Sequence, residues 1–336
     1  MVLHIDNSSA LVSHNRVTSN RGGGYASGIF IYNSDSAVVS HNYIRNNICV
    51  KAAGISCVHS SILLSNNVIT NHTALNNTGL NWDNAGGLHL STSSPTLRNN
   101  TIANNFARKG GGMHLTNDSN PPITNTIIYG NSSTSSTSDN QLFINDELSG
   151  PNLSYSNVEG GVIGFDMNGH FNSGITQNNL DTLSYFVNPT LGAGNNSAVP
   201  FVGWLLSINS SCINAGYPTG TFPTTDIAGN ARVMNDRIDL GAFEIQRSLG
   251  LKDATSKNQI NLFPNPASNQ VTIVTPPDLA QTFQLKIVDL TSGLVLEQNQ
   301  SNTEITKINV TEFTNGVYIA QFISADKLYS RPFIKQ

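Results

Sequence analysis

Arginine, lysine, tryptophan and aspartate recur at one place in this 336-residue chain, the turn that precedes a short strand in each copy of a repeat. Successive copies contribute Arg21 and Tyr25, Lys51, Trp82 and Asp83, then Arg108 and Lys109. One copy is enlarged there by the segment TALNNTGLNWDNA, which brings Trp82 and Asp83 beside the Arg108–Lys109 pair. An indole face next to cations suits stacking on a sugar ring and pairing with the carboxylate of a sugar acid. In the strand that follows, outward positions carry His4, Phe30, Ser56, His89, His114 and Phe143, flanked by Asp6, Tyr32, Val58, Ser91, Thr116 and Asn145. A row of imidazoles and rings on an outer face is a second candidate sugar platform, with His89 and His114 at its centre.

Catalysis on a polysaccharide asks for more. A lyase needs a base to abstract a proton, often with calcium on the substrate carboxylate, and a hydrolase needs paired acids. No aligned column stacks carboxylates, and the repeat gives Asp83 no acidic neighbour across a bond. The residues therefore point to binding or adhesion, with no catalytic residue, no metal and no cofactor expected and calcium not indicated. A polysaccharide lyase or glycoside hydrolase is the alternative. Met1 stands where the repeat is already running, so a truncated N-terminus is expected, and missing coils are where catalytic groups of that alternative would lie.

The elements that position these groups follow from the repeat, whose six copies over residues 1 to about 160 have a period of roughly 25 to 33 residues. Each copy opens with a strand of strict alternation: VLHID, GIFIY, GISCV, GLHLS, GMHLT and QLFIN. Alternate residues must face inward. The inward columns, Leu3, Ile29, Ile55, Leu88, Met113, Leu142 and Ile5, Ile31, Cys57, Leu90, Leu115, Ile144, are apolar throughout. A second motif (VSHNRV, VSHNYI, LSNNVI, LRNNTI, ITNTII, LSYSNV) adds two more apolar columns around a polar one of Asn15, Asn42, Asn67 and Asn100, continued by Thr126 and Ser156. Asparagine tolerates a left-handed corner, and its amide can hydrogen-bond from coil to coil as a ladder. His14 and His41, beside Asn66 and Asn99, read as members of the same corner. One such coil cannot bury its own apolar face, whereas coils stacked about 4.8 Å apart can. The expected fold is all-β, a right-handed parallel β-helix followed by a small antiparallel β-sandwich.

Composition narrows the partners. Seventeen Lys and Arg against 21 Asp and Glu, with a net charge of −4, form no basic stripe for nucleic acid. No run of apolar residues is long enough to span a bilayer as a helix. Cys49, Cys57 and Cys212 have no metal-ligand spacing and read as buried thiols. A monomer is expected, with an extracellular polysaccharide as the candidate ligand.

Beyond residue 165 the repeat decays, and 166–247 reads as irregular last coils and a cap. Its end, SSCINAG and then TDIAGNARVMNDRIDLGAFE, resembles the closing signature of bacterial choice-of-anchor Q β-helix proteins, a resemblance that implies no activity. Asp226, Asp239 and Glu244 in it match no metal loop and read as structural, with Arg232 available to pair with them. Residues 248–258 form a linker. From 259 to 336, INLFPNPASNQVTI, VDLTSGLVL, FTNGVYIAQF and the basic end FIKQ resemble a type IX secretion sorting domain, through Asn265, Pro266, Gly293, Gly316, Tyr318 and Lys335. That resemblance implies the type IX machinery as partner, export from a Bacteroidota-type cell, and a secreted or surface-attached protein. Pro264 and Pro266 are expected to start an edge strand, and Gly316 to open the turn before the last hairpin.

Overall fold

A computed structural model of the chain describes residues 3–24, 26–74, 85–134, 141–171, 174–194, 201–217, 223–234, 236–245, 261–274, 282–289, 293–301, 305–324 and 327–336. The chain divides into two compact units, Met1–Ser248 and Leu249–Gln336.

The first unit is a parallel β-helix. Its first sheet takes one strand per coil in the order Leu3–Asp6, Ile29–Tyr32, Ile55–Val58, Leu88–Ser91, Met113–Thr116, Leu142–Ile144 and Phe165–Asp166. The register pairs Leu3 with Ile29, Ile29 with Ile55, Ile55 with Leu88, Leu88 with Met113 and Met113 with Leu142, so the apolar columns stack as their spacing demands. The second motif splits into two strands at a corner. Leu11–Ser13 begins a second seven-stranded sheet, and Arg16–Thr18 lies at the edge of a six-stranded third. A short fourth sheet, from Ile48–Cys49 to Ser132–Ser133, completes the wall. The core between the walls holds Ile31, Val39, Ile44, Cys57, Leu64, Ile69, Leu90 and Ile102, all essentially without solvent contact.

Three corners give each coil its shape, and all three follow one rule. A residue with positive φ turns the chain, and the next residue points a polar side chain inward to the neighbouring coil. The left-handed positions of the second corner are His14, His41, Asn66, Asn99, Asn125, Tyr155 and Asn178, with φ between 46° and 57°. The left-handed backbone expected at Asn15, Asn42, Asn67 and Asn100 thus lies one residue earlier. Those four asparagines do form the ladder. The amide oxygen of Asn42 accepts from Asn15 N (2.9 Å), that of Asn67 from Asn42 N (3.0 Å) and that of Asn100 from Asn67 N (3.0 Å), after which Thr126 and Ser156 continue it. His14 and His41 stack at 4.8 Å on the outside of this corner.

Two further ladders share the geometry. One runs Ser8, Ser34, Ser60, Ser93, Ser119, Ser149, each backbone N–H donating to the next hydroxyl at 2.9–3.1 Å. The other runs Asn20, Asn47, His72, Asn105, Asn131 and Gln141. In it His72 stands in for an amide: Nδ1 accepts from Asn47 N at 3.1 Å, and Nε2 lies 3.1 Å from Ile44 O, which fixes the neutral tautomer with the proton on Nε2. Burial pushes the pKa of this imidazole down to about 3. Gly28, Gly54, Gly87 and Gly112 also stack, because a Cβ at any of them would meet the next coil's carbonyl oxygen at 2.0–2.5 Å.

The segment after the seventh strand of the first sheet builds only part of another coil, through Thr176–Gln177, before it leaves the stack. It then folds back over the outer face of the third sheet, where Trp204, Ile227, Ala242 and Phe243 pack on Tyr43, Val68 and Ala103. Asn71 and Asn104, left-handed residues of the third corner, each donate to Thr190 Oγ1 at 2.7 Å. Ala242 N donates to Thr101 Oγ1 at 3.0 Å. The covering segment is pinned by a buried polar knot. Asp226 accepts from the backbone N–H of Ala228, Asn230 and Glu244, and Asp239 from those of Asn214 and Ile245. Arg232, fully buried, donates to the carbonyls of Asp239 and Gly241 and lies 3.8 Å from Glu244. With its amide oxygen turned toward the guanidinium, Asn99 accepts from Arg232 at 2.6 Å. Desolvation, with Asp239 nearby, raises the Glu244 pKa to about 8, so one of three carboxylates around a single guanidinium keeps its proton at neutral pH.

Two predictions follow from these buried polar groups. Replacing Asn67 by Ala leaves the buried Asn42 N–H without its acceptor and removes the amide's second bond to Val39 O, and should cost about 2 kcal/mol in denaturant unfolding of the full chain. The two titrating groups act in opposite directions. His72, depressed in the fold, supplies stability that is present above pH 6.5 and lost on acidification toward 3, so H72N should gain on wild type by about 1 kcal/mol per pH unit below 6.5. Glu244 holds a proton in the fold that the unfolded chain gives up near 4.5, so its contribution is lost as pH rises from there through about 8. E244Q should flatten the fall in melting temperature between pH 5 and 9, and an unchanged slope would contradict the protonated state.

Candidate functional sites

The outer face of the first sheet differs along its length. In the first two coils His4 is exposed and Phe30 half-buried, whereas further along Ser56, His89, His114 and Phe143 have at most 3% of their surface exposed. His89 and His114, expected to stand open to solvent, are thus interior groups. Their rings meet edge to face at 5.6 Å, His114 meets Phe143 at 4.8 Å, and Ser56 Oγ lies 3.1 Å from His89 Nδ1. Alternation does set these side chains outward from the sheet, but being outside the coil is different from being in water.

The turn cluster is placed in part. Arg21 is exposed, and Lys51, Arg108 and Lys109 are half-buried. Lys109 Nζ sits 4.4 Å above the centre of the Phe143 ring, a cation–π contact that ties this turn to the buried row. Tyr25, Trp82 and Asp83 lie outside the described residues, as does the pairing of Asp83 with Arg108 and Lys109. Asp226, Asp239 and Glu244 are used in backbone hydrogen bonds, as their reading as structural residues requires. The three cysteines are buried, and burial pushes the Cys57 thiol up to about 12. Among the described residues no helix is long and apolar enough to cross a membrane.

The serine and second amide ladders escaped sequence reading, although their signal was present. Serine recurs from coil to coil at Ser8, Ser34, Ser60, Ser93, Ser119 and Ser149, and asparagine at Asn20, Asn47, Asn105 and Asn131.

The second unit is an antiparallel sandwich. A three-stranded sheet (Asn261–Phe263, Gln270–Val274, Ile305–Asn309) faces a four-stranded one (Gly293–Ser301, Thr282–Asp289, Gly316–Ser324, Lys327–Lys335) across a core of Val271, Ile273, Leu285, Ile287, Ala320, Phe322 and Phe333. The first strand ends at Phe263, so Pro264 and Pro266 stop it rather than start it. The loop that joins it to Gln270–Val274 then runs against the end of the last strand. Asn265 Oδ1 accepts from Ile334 N (2.9 Å), Ala267 N donates to Ile334 O (2.7 Å) and Gln336 N to Ala267 O (2.9 Å). Lys335 is nearly buried, and its ammonium donates to Gln336 O at 2.6 Å and to Asn315 Oδ1 at 3.4 Å. Tyr318 is buried against Phe313 and Phe333, with its hydroxyl donating to Thr314 O at 2.7 Å. Gly293 has φ +89°, a value that needs glycine, whereas Gly316 begins a strand without a left-handed φ and is not the turn residue expected.

Residues 261–336 match the family of secretion system C-terminal sorting domains. No curated protein matches the chain. Asn265, Pro266, Gly293, Gly316, Tyr318 and Lys335 all fall inside the matched span, where Asn265 bonds Ile334, Gly316 pairs with Lys335 across the last two strands, and Gly293 has a left-handed φ. Such domains mark proteins that are released or held at the cell surface, with the secretion machinery as partner. The chain is a parallel β-helix protein exported by way of a C-terminal type IX secretion sorting domain.

Proposed function

We propose that the exported β-helix is a non-catalytic adhesion or glycan-binding protein that displays one face of its solenoid to extracellular polysaccharide. The observation that carries this reading is a row of rings on the outer face of the first sheet. There His4, Phe30, Tyr32 and His59 form a contiguous row of rings, with neighbouring centroids 5.1–6.4 Å apart, on a scaffold locked coil by coil. Rings fixed on a rigid wall bind a sugar chain without first having to be ordered. The role proposed for the solenoid calls for no cofactor and no second subunit. The Thr225–Glu244 signature fits a choice-of-anchor Q β-helix of a Bacteroidota-type cell, supported by the way its buried knot closes the covering segment.

Screening the full chain against neutral and acidic polysaccharides, with and without calcium, tests the reading. Retention without new reducing or unsaturated ends is expected, and release of such ends would replace it by a lyase or hydrolase. In the producing cell, removal of residues 261–336 should leave the β-helix within the envelope, as fractionation and surface labelling would report.

A further inference from the structure

We propose that Phe30 and Tyr32, framed by His4, Asp6 and His59, form a docking platform for neutral glycan chains. The proposal rests on the glycan-binding reading above and narrows it to the first three coils and to one charge class of ligand.

Phe30 and Tyr32 are two residues apart in one strand, so both project from the outer face of the first sheet. Their ring centroids are 6.4 Å apart and their planes differ by only 17°, so two nearly parallel aromatic rings stand side by side on this face. Both are half-buried, so the rings are supported by neighbours while part of each meets solvent. His4 extends the surface onto the preceding coil at 5.1 Å from Phe30, and His59 closes it on the following coil, edge-on to Tyr32 at 5.9 Å. The platform therefore spans two coil spacings, about 10 Å. It stops where the same outward column becomes interior at Ser56.

The polar groups around it select the ligand. The Tyr32 hydroxyl has no hydrogen-bond partner among the described residues. Asp6 is exposed and among the described residues accepts only from Asn7 Nδ2 at 2.7 Å, which leaves carboxylate lone pairs for sugar hydroxyls. The strands Leu3–Asp6, Ile29–Tyr32 and Ile55–Val58 contain no Lys or Arg, and Asp6 is their one formal charge. A polyanion would meet that charge with no compensating cation on the platform, whereas the C–H faces and hydroxyls of a neutral sugar match both the rings and the acceptors.

The test is calorimetric titration of the full chain with hexasaccharides of β-linked glucose, xylose and mannose, and with polygalacturonate as the anionic probe. At least one neutral hexasaccharide should bind, Tyr32→Ala and Phe30→Ala should each weaken it about tenfold or more, and Tyr32→Phe should stay within about threefold. Should either alanine variant fail to fold, intermolecular NOEs on the wild type should connect the sugar to the assigned ring protons of Phe30 and Tyr32. Neutral binding untouched by both alanine variants would overturn the platform and leave glycan binding at another surface. Preference for polygalacturonate would overturn the ligand class. Failure of the wild type to bind any probe would remove the glycan reading itself. Self-association lost in the alanine variants, without sugar binding, would reassign the face to a second copy of the chain.

Discussion

Everything in the first unit depends on one hydrogen bond repeated at the corners: the backbone N–H just past a left-handed residue donates to a side-chain acceptor on the next coil. A solenoid bends its chain sharply several times per turn, and each bend takes an N–H out of the sheet ladder. Left unpaired in the interior, such a group costs about 1–3 kcal/mol. Serine, asparagine, threonine, glutamine and one histidine supply the acceptor, coil after coil. The polar residues that dominate the composition are therefore interior structural parts, which explains how a chain with only 11% charged residues remains so polar and still folds around a core.

Because the corners hold the register, the outer faces of the sheets are free to diverge. The third sheet is covered by the returning segment, whose buried Arg232 reaches the corner residue Asn99 and whose Thr225 carbonyl receives Asn66 at 2.8 Å. Left-handed corner residues point outward, so in the coils that meet this segment they serve as its docking points. On the outer face of the first sheet Phe30 and Tyr32 are half-buried, whereas Ser56, His89, His114 and Phe143 are closed off, so among the described outward residues the rings of the early coils are the ones offered to a ligand. Scaffold and candidate site are thus set by different residues on the same strands, inward positions for one and outward positions for the other.

Much of the scaffold was legible in the chain itself. Alternation gave the inward columns and their register, and the Asn15 column gave the ladder, because each depends on residues a fixed distance apart in sequence. What could not be read was whatever depends on a distant segment. His89 and His114 face away from the core by parity, yet they are buried, since parity says which side of a sheet a residue takes and nothing of what packs on that side. The fold-back that carries Thr190, Gly194, Trp204 and Ala242 has no periodic signature, and its contacts reach Asn71, Asn104 and Thr101 from more than 80 positions away. The one-residue error in placing the left-handed corner has a local cause: His14-Asn15 and Asn66-Asn67 both offer an asparagine, and only the geometry separates the residue that turns from the residue that bonds.

The sorting unit solves a different problem with the same chemistry. An antiparallel sandwich has open edges and two chain ends, and its last strand lies at the edge of the four-stranded sheet. The segment after Phe263 runs alongside that strand's end, with Asn265 and Ala267 bonding Ile334 and Gln336. Pro264 and Pro266 have no N–H to offer, so the pairing there is short, and Asn265 supplies a side-chain acceptor where the backbone has none to spare. Lys335 adds a nearly buried ammonium that bonds Asn315 beside the Tyr318 pocket. Residues that look like separate sequence signatures, 69 positions apart for Asn265 and Ile334, are in the fold one closure. A sorting unit that lost either end would expose an unpaired strand edge and an unbonded Asn265 together, which is why both ends of the sequence pattern have to be kept.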